Sequence, residues 1–155
     1  MGLSWGDVRE DWLANDGLRD IYVEDSTVDD WQLVVDIVRA HDWPTTFSVE
    51  GDVMSMPTSV QPIFELVDKT ILWRFWPHPD VAVHGHFFAV GEIELEVDPR
   101  EVVDQEQFDA VCEVVTVIGR ALGKPLDVTV ESAHSEVVMR YDARTDSLAR
   151  VPPRP

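Results

Sequence analysis

The chain has 155 residues, the size of one domain, and carries 30 acidic side chains against 12 basic ones, a formal net charge of -18. That charge repels phosphate backbones and excludes a direct nucleic-acid binder, while it suits a basic protein partner. A composition 45% hydrophobic with six tryptophans is rich enough for a sizeable core, and the single cysteine, Cys112, excludes an intramolecular disulfide or a multi-cysteine zinc site.

The opening M-G-L-S-W-G-D-V-R-E has neither the basic nor the apolar part of a secretory signal, and no apolar run reaches membrane-spanning length. The expected setting is therefore cytoplasmic, without membrane association. Trp5, Val8 and Trp12 recur at helical spacing and predict a short helix over 3–14, ended by Asn15-Asp16-Gly17. Leu18–Glu24 reads as a strand. Asp25-Ser26-Thr27 then caps a helix over 28–41, whose stripe is Trp31, Val34, Val35 and Val38 and whose stop is Trp43-Pro44.

Thr45–Val49 is a short strand and Gly51–Met56 a loop. Pro57–Val67 is a second helix with Val60, Ile63, Phe64 and Val67 on one face; Pro62 interrupts it, and a strand is the alternative. Thr70–Trp76 is a strand carrying Ile71, Trp73 and Phe75 on one face, with Leu72, Arg74 and Trp76 on the other. Apolar side chains on both faces place it centrally or under cover.

The best-patterned stretch is Val81–Asp98, which alternates with a period of two and predicts a hairpin at the centre of an antiparallel sheet. A three-residue loop closed by Gly91 at positive φ sets Val83 opposite Val97 and Phe87 opposite Ile93. On the other face His84 then meets Glu96, and His86 meets Glu94. A slip of one residue would drive Glu92, Glu94 and Glu96 into the core, so the register is firm.

A long amphipathic helix at about 104–122 follows, with Phe108, Val111, Cys112, Val115, Ile118 and Leu122 on its apolar face and Gly123 beyond its end. Leu126–Glu131 and Glu136–Tyr141 alternate as two strands. Runs of strands without strict β-α alternation predict an α+β fold, with helices packed on an antiparallel sheet. The reading gives a single domain over 1–143 and a flexible tail over 144–155, ending in V-P-P-R-P.

Candidate binding residues gather on the hairpin: His84, His86, Glu92, Glu94 and Glu96, with Trp76 nearby as a partly exposed aromatic. Imidazole with carboxylate suits zinc or iron, yet no metal motif is present, so cross-strand charge pairs are the expectation and neither metal nor cofactor is assigned. The carboxylate opposite His84 is expected to raise its pKa. No nucleophile elbow, P-loop or dinucleotide fingerprint occurs, and no catalytic residue is assigned. Cys112 reads as a small apolar residue of a helix face.

Three segments carry a resemblance: L-R-D-I-Y-V-E-D-S-T-V-D-D-W-Q at Leu18–Gln32, I-E-L-E-V-D-P-R-E-V at Ile93–Val102 and I-G-R-A-L-G-K-P-L at Ile118–Leu126. Together they resemble a group of short, acidic, uncharacterised bacterial proteins, similar in class to immunity proteins of polymorphic toxin systems. The resemblance implies a non-enzymatic protein that neutralises a basic toxin. Two other readings stand beside it: a small metal-dependent protein or enzyme using the His84/His86 face, and a structural or assembly subunit.

Overall fold

A computed structural model describes residues 2–66 and 68–153. The elements run α1 (Trp5–Leu13), β1 (Arg19–Glu24), α2 (Val28–Ala40), β2 (Thr45–Val49), β3 (Asp52–Met54), α3 (Gln61–Phe64), β4 (Ile71–His78), β5 (Val81–Gly85), β6 (Glu92–Val97), α4 (Gln105–Leu122), β7 (Leu126–Val130), β8 (Ala133–Asp142) and β9 (Ser147–Arg150). The strands form one antiparallel sheet in the order β3-β2-β4-β5-β6-β1-β7-β8-β9, so the predicted hairpin lies at its centre and the fold is α+β. Among the described residues no helix is long and apolar enough to cross a membrane.

Local chemistry sets the helix ends. Thr27 accepts from the Asp30 N–H while Asp30 accepts from the Thr27 N–H, a reciprocal cap that starts α2. Asp104 accepts from the Gln107 N–H at the start of α4, and Gly123 ends it at φ +64°. The apolar stripes of α1, α2 and α4 pack against one face of the sheet in a single core that joins Trp12, Trp31, Val34, Val111, Val115 and Ile118 to Ile21, Trp73, Phe75, Val83, Ile93 and Leu95. The opposite face carries polar side chains from β1, β5, β6 and β7, with Leu72 and Trp76 of β4 half-buried on it.

Arg19 is a charged member of this interior, 0% exposed. Its guanidinium donates to the carbonyls of Trp12 (3.0 and 2.6 Å), Asn15 (2.7 Å) and Leu18 (3.0 Å). Helix α1 has no basic residue in its own last turn, and Arg19 satisfies the Trp12 carbonyl that the helix end leaves over.

The hairpin keeps the expected register where it pairs: Val83 opposes Val97 and His84 opposes Glu96. The ladder, however, stops at Gly85 opposite Leu95, and residues 86–91 form a six-residue loop in place of the expected three. The left-handed residue is Phe87 (φ +55°), and Gly91 is not in that region. Tertiary contacts take these residues from the ladder. Phe87 turns inward against Trp31 (ring centroids 4.8 Å apart), Trp73 and Phe64. The Trp31 indole donates to the Ala89 carbonyl at 3.0 Å, the Ser26 N–H to Gly91 at 3.1 Å and the Ser26 hydroxyl to Val90.

Other boundaries move as well. The loop expected over 51–56 contains β3, which continues β2 through a turn at Glu50 and Gly51, both with positive φ. The helix expected over 57–67 shrinks to the single turn of α3, and Val67 lies outside the described residues. The domain expected to end at residue 143 continues into β9, which pairs with β8 within the segment read as a flexible tail; Arg154 and Pro155 of that tail are outside the described residues. Arg150 of β9 reaches Asp11 of α1 at 2.6 Å.

Candidate functional site on the polar sheet face

Cross-strand pairing lays the polar side chains out in rows. One row runs Arg74, His84, Glu96, Asp20, Thr129 across β4, β5, β6, β1 and β7. The next runs Glu94, Tyr22, Asp127, Arg140 across β6, β1, β7 and β8. Beyond it Glu92 lies directly opposite Glu24. Glu92, Glu94 and Glu96 are half-buried at alternate positions, as the period of β6 requires.

Their partners differ from those expected. His86 lies in the loop, outside the ladder, and meets Glu96 at 3.1 Å instead of Glu94; its Nδ1 donates to the Ile71 carbonyl at 3.1 Å. Glu94 is met by His134 of β8 at 3.4 Å. Glu92 accepts a 2.7 Å hydrogen bond from the Tyr22 hydroxyl, which raises the phenol pKa. His84 remains opposite Glu96, but its pKa is lowered: burial is the main cause, with the Arg74 charge across the strand pair next and His86 after it. Trp76 is half-buried on β4, two strands from β6 and beside a register shift.

The sign of the His84 shift makes a pH prediction. An imidazole held below its ordinary 6.5 is neutral in the fold where the unfolded chain would protonate it. Its contribution to stability is full above the unfolded value and is lost as pH falls below 6.5 through the lower folded-state pKa. NMR titration is expected to give His84 a midpoint below 6.5; a midpoint at or above it would contradict this environment.

Asp20 and His134 are the site residues that sequence reading missed. Asp20 is 1% exposed and stands 3.5 Å from His134 Nε2. Burial raises its pKa to about 6; the Ser132 N–H opposes the rise, and neighbouring Glu94 adds to it. Burial likewise raises Glu96, against the pull of His86. The His134 ring stacks on Tyr22 with centroids 3.8 Å apart. Leu18–Glu24 reads as a strand, but nothing local identifies β6 as the neighbour of β1. His134 sits in the segment read as a connection, and irregular pairing at Thr129 and Val130 sets where it falls.

Cys112 is partly buried, and burial pushes its thiol up to about 12, which keeps it un-ionised and poorly nucleophilic. Phe88 is 71% exposed and stacks on His86 at 4.8 Å, so an open aromatic ring borders the carboxylates. In comparisons with known proteins, no family model, curated protein or solved structure matches this chain.

Proposed function

We propose that this chain is a non-enzymatic binding protein whose polar sheet face receives a basic protein partner, in the manner of an immunity protein that neutralises a toxin. The observation that carries the reading is the direct opposition of Glu24 and Glu92, on the face away from the helix layer of α1, α2 and α4. Like charges directly opposite weaken a sheet, and a cationic partner would relieve that repulsion. The net charge of -18 supplies long-range attraction, which raises the association rate at low salt. Exposed Phe88, stacked on the His86 that pairs with Glu96, supplies an apolar anchor of the kind that concentrates binding energy.

Co-expression with the toxin encoded beside the gene tests this reading. The wild-type chain is expected to restore growth, and a Glu24→Lys/Glu92→Lys double variant with Phe88→Ala to lose protection while remaining folded by circular dichroism. Growth that stays arrested with the wild-type chain, or protection unchanged in the triple variant, would refute it.

A further inference from the structure

We propose that Asp20, Glu94 and His134 bind one divalent transition-metal ion, with zinc the best match to the donor set. The three ligands come from β1, β6 and β8, and one ligand atom of each lies within 4.8 Å of the other two. His134 Nε2 stands 3.4 Å from Glu94 Oε1 and 3.5 Å from Asp20 Oδ2. Both separations exceed the 2.7–3.2 Å of an ordinary N–H···O hydrogen bond. They match the edge of a tetrahedral site, where ligands about 2.0–2.1 Å from zinc stand roughly 3.3–3.4 Å apart. Two carboxylates and a neutral imidazole balance a dication.

A separate observation concerns Thr129. Its side chain is fully buried, and its hydroxyl has no hydrogen-bond partner among the described residues. It is the cross-strand partner of Asp20 on β7, so its side chain lies beside Asp20 on the same side of the sheet. A charge pair between His134 and the acids leaves that hydroxyl orphaned at a cost; an ion, or water on an ion, would satisfy it. The surroundings also hold the ligands in place. The Ser132 N–H donates to Asp20 Oδ2 at 3.1 Å, and Tyr22 stacks on the imidazole. Support of this kind fixes ligand orientation in metal sites.

The site differs from the His84/His86 pair that the sequence brings to mind. His86 is engaged by Glu96 and Ile71, and His84 faces Arg74 and Glu96 across its two strand partners.

The test uses the full, untagged chain freed of metal by a chelator. Titration with zinc, followed by calorimetry, is expected to show one equivalent bound and a raised melting temperature. Cobalt in place of zinc is expected to give the visible absorption of a low-symmetry four-coordinate ion. His134→Ala should abolish both signals, Thr129→Val should weaken binding roughly tenfold, and His84→Ala should leave it unchanged. His134→Gln, which keeps the ring site polar, covers the case in which the alanine variant fails to fold. No stoichiometric zinc on the wild-type chain, or undiminished binding in a folded His134 variant, would overturn the proposal.

Discussion

Replacing Arg19 with alanine is expected to lower the stability of the fold by about 2–4 kcal/mol, as measured by urea unfolding followed through tryptophan fluorescence. Arg19 is wholly buried and its donors are taken up by main-chain carbonyls, with both Nε and Nη2 donating to Trp12 O. Truncation leaves the buried Trp12 carbonyl without its two donors, which costs about 1–3 kcal/mol, and removes the part-buried bond to the Asn15 carbonyl as well. Arg19→Lys is expected to recover only part of the loss. A single ammonium is a point donor, whereas the planar fork bridges Trp12 and Asn15 together. A loss below about 1 kcal/mol in Arg19→Ala would mean that water replaces the guanidinium, and would refute its role as the clasp between α1 and β1.

Trp31→Ala is expected to cost a further class of interaction, about 3–5 kcal/mol, through the cavity left by a fully buried indole. The ring packs on Phe87 and on Phe64 (centroids 4.8 and 5.7 Å), and its N–H holds the Ala89 carbonyl. The 86–91 loop therefore depends on α2 as well as on its own strands. Amide exchange at Phe88–Val90 is expected to accelerate in this variant beyond the acceleration that global destabilisation explains. Trp31→Phe separates the terms: it refills much of the cavity but cannot donate to Ala89. Equal loop protection in Trp31→Phe and wild type would show that packing alone holds the loop.

These two residues also show where local pattern stops being informative. The stripes of α2 and α4, their caps and the alternation of β1, β4 and β6 were legible because each is written within a single element. The facing of Val83 on Val97 was legible for the same reason, since both belong to one hairpin. The fate of His86 was not. It depends on the capture of Ala89, Val90 and Gly91 by Trp31 and Ser26, residues about sixty positions earlier, and that capture ends the ladder at Gly85. The cluster of Asp20, Glu94 and His134 was invisible for a related reason. Its members meet only because β1 lies between β6 and β7 and because the β7–β8 pairing is irregular. Strand β9 was hidden by the composition of its segment, whose exposed residues read as a tail until β8 offers an edge to pair with.

The place of β1 has a consequence for how the molecule assembles. Strands β2 to β6 are joined by nearby pairings, and so are β7 to β9, so each set closes short loops. Strand β1 links the two sets: Arg19 lies opposite Val97 on one side and Val130 on the other. It leaves the ribosome ahead of every strand it pairs with, and neither of its edges has a mate until far more chain has been made. The entropy of closing those long loops falls on this one strand, so its insertion is expected to come late in folding, with the Ile21-Tyr22-Val23 edges unpaired until the last third of the chain emerges.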